Sequence, residues 1–562
     1  MPLPAADRRR FLQVFSGLGL GSTLLPGVLW AKVAAGAEIT DASIAAAEEI
    51  AGVTLTPEQR TLMLQRLKQQ TGALAELFAV PLDNAVAPAV GFLPAAVPQE
   101  APPRREAPRP SRATPRAAPA RIEELAFASV VELGGLIRAR KVSSEQLTRM
   151  YLDRLEAHDP ALFCVVNRLP DRALAHAKAM DEEVRRGKFR SPLHGIPWGA
   201  KDLLAAKGAP TTWGIGLYKD RVLDEDATVV RRLEEAGAVL VAKLSLGELA
   251  QGDVWFGGTT RNPWKPDQGS SGSSAGSASA TAAGLVGFTI GSETLGSISS
   301  PATRCGVTGL RPTFGRVPRT GAMALSWTMD KLGPLARSAE DCALVLDAIH
   351  GPDGGDLTAQ ARPYRWDADR PLAALRIGVF RESFANARTQ QAEDAAVLDV
   401  LRAQGAQLRD VAVPAFPYNA LRLILSAEAG AAFDALTRSG QADTLVQQHA
   451  NAWPNTFRLA RFISAVDYVN ANRVRSLAMA AWDALFRDLD VIVAPTNSVQ
   501  LMATNLTGHP AVIVPNGFRA DGTPFSITFV GKLWGEAEAA LAAHAFQRAT
   551  DFHRRVPPQF TP

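Results

Sequence analysis

Two kinds of residue carry the prospect of chemistry here, a crowd of serines and one well-placed lysine. The stretch Gly269 to Pro312 holds too many small and hydroxylated residues for an ordinary core segment. Two clusters stand out, Gly272-Ser273-Ser274-Ala275-Gly276 and Gly291-Ser292-Glu293-Thr294-Leu295-Gly296-Ser297. Between them Ala278 to Gly284 reads as a short helix of small residues, and Leu285 to Ile290 as a buried strand. One cluster opens a helix and the other follows a strand, places that offer backbone N–H groups and hydroxyls together. A flexible Gly/Ser linker would have no reason to continue into an apolar run and then Cys305 to Leu310. A phosphate loop is also poorly supported, because no GxxxxGK[ST] run is present.

These residues resemble the signature of the amidase signature hydrolases, which use a Ser–cis-Ser–Lys triad. The family's Ser-Ser-Gly-Gly-like tetrad is matched by Ser273-Ser274-Ala275-Gly276, and Ser297 lies 24 residues beyond Ser273. The family's lysine run is matched by His194-Gly195-Ile196-Pro197-Trp198-Gly199-Ala200-Lys201-Asp202, about 70 residues upstream. The resemblance covers about Ala126 to Val556. It implies Ser297 as nucleophile, Ser273 as proton relay after a cis Gly272–Ser273 bond, and Lys201 as base. It also implies an oxyanion hole from the backbone N–H groups of Thr294, Leu295, Gly296 and Ser297. A lysine base must be neutral. Bringing it from about 10.4 to roughly 7–8 takes about 3–5 kcal/mol of destabilisation of its charged form, which burial can supply. Leu295 stands where many members carry Gly in a GTDTGGS run, so its side chain is expected to trim the acyl pocket.

Substrate inference rests on tryptophans. Trp198, Trp213, Trp255 and Trp327 are expected to line an apolar pocket, with Phe256 and Trp264 nearby. Such a pocket favours uncharged aryl or alkyl amides over glutamine. The alternatives differ in class. A β-lactamase-type Ser–Lys enzyme lacks its SxxK, SDN and KTG set. A protein like the transamidosome's glutaminase chain, a relative on the same fold, would release ammonia from glutamine with partner subunits in the cytosol. A non-catalytic binding protein on the same fold would not need the triad.

The elements that must position these residues follow from patterning. The chain has 562 residues, 47% hydrophobic and 21% charged, ample for a large core. The net charge of +4 is matched by six Arg and two Glu between Glu100 and Arg121. The remainder balances, so no nucleic-acid surface is indicated. Ser129 with Glu132, and Ser143 or Ser144 with Glu145 and Gln146, cap two helices. Apolar strands at Ala238–Ala242, Ile377–Phe380, Val491–Ala494 and Ala511–Pro515 alternate with helical runs, and a last helix spans Glu536 to about His553. This predicts an α/β fold with a mixed central sheet flanked by helices on both faces, and an N-terminal helical extension.

Four segments are expected. Residues 1–37 read as a twin-arginine signal, with Arg8-Arg9-Arg10-Phe11-Leu12, a weakly apolar run and Ala35-Gly36-Ala37 as cleavage site. The protein is therefore expected in the periplasm or secreted, without stable membrane insertion once the signal is cleaved. An uncleaved anchor is the alternative. Residues 38–95 read as a helical extension. In it Thr56-Pro57-Glu58-Gln59 is a capping box, and Met63, Leu67, Leu74, Leu77 and Phe78 form a stripe expected to pack on the catalytic domain. Residues 96–120 read as a mobile or extended Pro/Arg-rich linker, and 121–558 as the catalytic domain. Cys164, Cys305 and Cys342 form no disulfide framework. No HExxH or clustered histidine marks a metal site, and no cofactor is implied. The expected partner is a small-molecule amide, and a homodimer is possible by the resemblance.

Overall fold

The apolar runs that alternate with helices build one large sheet. The computed structural model describes residues 39–82, 86, 88–90, 106–112, 117–386 and 391–562. Residues 1–37, read from the sequence as a twin-arginine signal, lie outside these residues. We number the sheet strands β1 Val165–Arg168, β2 Pro197–Lys201, β3 Val239–Leu244, β4 Phe288–Glu293, β5 Thr308–Arg311, β6 Lys331–Ala336, β7 Ile377–Val379, β8 Leu408–Asp410, β9 Val491–Pro495, β10 Ala511–Phe518 and β11 Pro524–Gly531. Their order in the sheet is β1-β3-β2-β4-β6-β5-β10-β11-β9-β7-β8. The sheet is mixed: β2 runs parallel to both β3 and β4, whereas β6 is antiparallel to β4 and β5. Strands β2 to β6, β9 and β11 are buried along their whole length, as expected of strands covered on both faces.

The small-residue helix sits three residues earlier than the pattern suggests, at Ala275–Ala282, and the strand after it starts at Phe288. Glycines set both boundaries. Gly284 closes the helix at φ +65°, and a Cβ on Gly287 would lie 2.8 Å from Ile196 Cγ2 and 3.0 Å from Pro197 O. Every residue of the helix is buried. Its alanines Ala278 and Ala282 pack with Ile298, Ala302, Leu335 and Ile513. Small side chains let this helix approach the sheet closely, which explains the composition that first marked the segment.

The capping boxes at Thr56/Gln59, Ser129/Glu132 and Ser143/Gln146 are all present, and open helices α1 Pro57–Phe78, α2 Val130–Arg138 and α3 Ser144–Leu162. All three cysteines are buried and free. Among the described residues, no helix is long and apolar enough to cross a membrane.

The contact pattern divides the chain into two compact units, Met1–Phe92 with Phe416–Ala478, and Leu93–Ala415 with Met479–Pro562. The helical extension shares its core with residues 416–478: Ile44, Leu55, Met63 and Leu67 pack on Leu459 and Phe462. Arg461 Nε also donates to Ala51 O at 2.7 Å. Of the stripe on α1, Met63 and Leu67 lie in this core, whereas Phe78 is 62% exposed. The Pro/Arg-rich stretch is likewise anchored in part. Arg109 N donates to Trp366 O at 2.8 Å, Ala368 N donates to Arg109 O at 2.9 Å, and Ser111 N and Oγ donate to the Glu340 carboxylate at 2.6 Å each.

Candidate active site

The lysine is set by its strand. β2 lies between β3 and β4, and Lys201 is its last residue, fully buried. A turn precedes the strand, where Gly195 takes φ +79° and Gly195 N donates to Gly237 O at 2.8 Å. His194 of the same run donates from Nε2 to Met180 O at 3.1 Å, and its Nδ1 accepts Arg190 N, so it is structural. Gly199 is needed for packing, because a Cβ there would lie 2.4 Å from Leu244 Cδ1. Behind the lysine, Lys243 pairs with Asp202 at 2.7 Å, with both side chains fully buried.

The Lys201 amine meets hydroxyls. Nζ donates to Ser273 Oγ at 2.8 Å, Ser292 Oγ at 2.9 Å and Ser274 Oγ at 3.1 Å, and approaches Ser292 O at 3.5 Å. Burial pushes its pKa well below the ordinary lysine value, against the smaller opposing pull of Asp330 and Glu293. Burial among hydroxyls thus disfavours the charged form of the amine, the direction a proton acceptor needs.

Ser273 follows a cis Gly272–Ser273 peptide bond. The backbone here runs against the Gly252 carbonyl: a Cβ on Gly272 would lie 1.8 Å from Gly252 O. Ser274 N donates to Ser297 O at 3.0 Å, which joins the two serine segments. Ser274 Oγ also donates to Ser292 O at 3.0 Å and accepts from Ser292 N at 3.1 Å.

Ser297 ends the loop between β4 and the helix Ser299–Cys305. Gly296 takes φ +92° there, a conformation costly for any side chain. Glu293 anchors the far end. Its Oε2 accepts Ile298 N, Ser299 N and Ser299 Oγ, each at 2.8 Å, and its Oε1 accepts Arg311 Nη1 at 2.8 Å and Asn505 Nδ2 at 2.7 Å. Burial alone would raise the Glu293 pKa, but Arg311 and these donors outweigh it and hold it at about 2. Thr294, Leu295, Gly296 and Ser297 form the loop itself. Leu295 is half-buried.

Beside Ser292 and Thr294 opens a cavity of about 390 Å³. Leu203, Met323, Leu325, Trp327 and Leu332 give it an apolar lining, and Arg319, Asp330 and Asp356 also border it. Arg319 and Asp356 pair with one another, and Asp330 accepts from neutral donors. Arg319 Nε donates to Asp356 Oδ2 at 2.9 Å and Nη2 to Thr358 Oγ1 at 2.8 Å.

Of the four expected pocket tryptophans only Trp327 borders this cavity, 48% exposed at its mouth. The other three do not border it. Trp198 is fully buried and stacks on Phe288 at 6.0 Å, because it belongs to the core-facing part of β2. Trp213 lies under the Arg221 guanidinium at 3.9 Å and edge-on to Tyr218. Trp255 is buried, with Nε1 donating to Phe163 O at 3.2 Å and its ring edge-on to Phe256. Trp264 is also engaged elsewhere, its Nε1 donating to Cys305 O at 2.8 Å. Sequence reasoning did not single out Met323, an apolar residue that patterns like core; Leu203 was legible as an apolar neighbour of Lys201, and Asp330 and Leu332 as part of the family-like run Asp330 to Ser338.

Comparison with known proteins agrees with this geometry. A family profile described as Amidase matches residues 146–503. The A subunit of the glutamyl-tRNA(Gln) amidotransferase of Moorella thermoacetica is 33% identical over 484 residues, which cover 77% of this chain and 99% of that protein. The solved peptide amidase from Stenotrophomonas maltophilia is 31% identical with a TM-score of 0.69, covering 78% of this chain and all of that one. A bacterial aryl acylamidase shares the fold, with a TM-score of 0.67 at 23% identity over 77% of this chain and 98% of that one. The matched span, more than half the chain, and the identity to full-length relatives lead to one conclusion: this chain belongs to the amidase signature family and is an enzyme that cleaves amide bonds.

Proposed function

We propose that hydrolysis runs through an acyl-enzyme on Ser297, with Ser273 as proton relay and Lys201 as base, and that the substrates are uncharged aryl or alkyl amides. The observation that carries this reading is the buried Lys201 amine 2.8 Å from Ser273 Oγ. In acylation the Ser297 hydroxyl attacks the amide carbon, and its proton passes through Ser273 to Lys201. The C–O bond forms, and backbone N–H groups of Thr294 to Ser297 stabilise the oxyanion. Collapse breaks the C–N bond, and the proton returns through Ser273 to the departing nitrogen. Water then attacks the ester and releases the acid.

The substrate reading rests on the cavity's apolar lining and paired charges. A free amino acid would bring an ammonium and a carboxylate, and Asp330 and Arg319 already have their partners. A second reading, ammonia release from glutamine, is favoured by the likeness to the amidotransferase chains. The test has two parts. Ser297→Ala should abolish turnover and labelling by a fluorophosphonate, and Lys201→Ala or Ser273→Ala should slow acylation by about 10³-fold or more. Near wild-type activity of Ser297→Ala would sink the mechanism. For the substrate, kcat/KM for an anilide should exceed that for acetamide and glutamine. Equal or better use of glutamine favours the second reading.

A further inference from the structure

One buried carboxylate at the site has no part in the chemistry above. Asp330 borders the cavity yet is only 8% exposed. Its Oδ1 accepts the Thr294 hydroxyl at 2.6 Å. Its Oδ2 accepts Leu325 N at 2.8 Å and Ser326 N at 2.9 Å, and Asp330 N donates back to Ser326 O at 3.0 Å. These bonds have two destinations. Leu325 and Ser326 begin the turn that carries Trp327 to the cavity mouth. Thr294 begins the loop that ends at Ser297.

The Trp327 turn has a second anchor on its carbonyl side. Arg319 Nη1 donates to Trp327 O at 2.8 Å, and Arg319 is itself fixed by Asp356 and Thr358. That anchor ties the turn to neighbouring cavity-wall loops. The Asp330 carboxylate ties it to the loop that would hold the oxyanion. With three donors on two oxygens Asp330 is satisfied, which suits a fastener better than a substrate-binding anion.

We propose that Asp330 is a positioning residue that sets selectivity: it fixes the Trp327 turn against the Thr294–Ser297 loop, so that an apolar group seated in the cavity brings the scissile carbonyl into register with the N–H donors. This rests on the reading that the cavity takes the substrate's apolar group. The physical logic is that binding energy from a remote group raises kcat only if a rigid link converts it into alignment at the reacting carbon. A misplacement of about 1 Å there costs on the order of 10²-fold. A substrate too small to reach Trp327 gains nothing from the link, so the link should show in the ratio between large and small amides.

The test uses the full chain and two variants, Asp330→Asn and Thr294→Val. Valine matches threonine in shape, removes only the hydroxyl and keeps the backbone N–H. The readout is kcat/KM for an anilide divided by kcat/KM for acetamide. Each variant should lower that ratio about tenfold, mainly through the anilide's kcat. The double variant should lose no more selectivity than Asp330→Asn alone, because both break one link. An unchanged ratio in Thr294→Val overturns the proposal, as do losses that multiply in the double variant. Should Asp330→Asn not fold, Thr294→Val decides by itself. A wild type that shows no preference for the anilide sinks the cavity reading and this link with it. A wild-type preference that Thr294→Val leaves intact sinks the link alone.

Discussion

At the scale of single residues, the proposed mechanism turns on the charge of Lys201. Its amine is fully buried among Ser273, Ser274 and Ser292, and burial is what lowers its pKa. The two carboxylates that oppose this are Asp330 and Glu293: Arg311 bonds Glu293, whereas Asp330 is held by neutral donors, since Arg319 is paired with Asp356. The sign of a substitution follows. A negative charge favours the ammonium form, so removing it lowers the lysine pKa further. If Lys201 is the base, kcat/KM falls as pH drops through that pKa. The acid limb of the profile should therefore lie well below the ordinary lysine value of about 10.4 and move to lower pH in Asp330→Asn. A limb that moves upward in a folded Asp330→Asn protein counts against Lys201 as the base.

At the scale of elements, the Ser297 loop is held through the residues on either side of it. Glu293 closes β4 and receives the first N–H groups after Ser297 together with the buried guanidinium of Arg311. Arg311 also donates to Thr504 Oγ1 at 2.7 Å and His509 O at 3.0 Å, so a β5 side chain, a β4 side chain and the segment before β10 meet at one point. Replacing Glu293 by alanine leaves a buried cation without its counter-charge and frees the Ile298 and Ser299 N–H groups. The expected loss is about 3–5 kcal/mol of unfolding free energy, measured by urea titration, with activity lost in parallel. A loss under about 1 kcal/mol would mean that the network is not what holds this loop.

At the scale of the whole molecule, the N-terminal region and the segment 416–478 form one unit, while the sheet and its site form the other. Part of the Pro/Arg-rich stretch belongs with the second, through the bonds of Arg109 to Trp366 and Ala368. Arginine count alone would make this stretch the first target of trypsin. The bonded Ser111, next to Arg112, predicts otherwise: peptide mapping of a brief digest should show little cleavage after Arg112. Early cleavage there would mean that the bridge opens readily. Export is our proposal from the first residues, which lie outside the described part of the chain. Replacing Arg8 and Arg9 by lysine should leave precursor in the cytoplasm on fractionation. Normal periplasmic levels of that double variant would refute a twin-arginine signal.

Some of this protein could be read from its sequence because it depends on local chemistry. Capping boxes are four-residue patterns, and all three stand where Thr56, Ser129 and Ser143 place them. The strands β3, β7, β9 and β10 announce themselves as apolar runs, and their alternation with helices settles the α/β class. The serine clusters and Lys201 carried the family, because a chemical constraint leaves residue types at set spacing. What the tertiary structure alone decided depends on partners far apart in the chain. Trp198 and Trp327 look alike as residues, yet one stacks on Phe288 and the other borders the cavity; only the sheet order tells them apart. The stripe of the first helix declares a buried face but not its partner, and Leu459 and Phe462 lie almost 400 residues away. The cavity is built from Leu203, Met323, Leu325 and Leu332, which read as ordinary core until folding leaves a space between them. Hydrophobic contact is non-directional, so a sequence shows that a side chain will be buried and leaves to the fold what it is buried against.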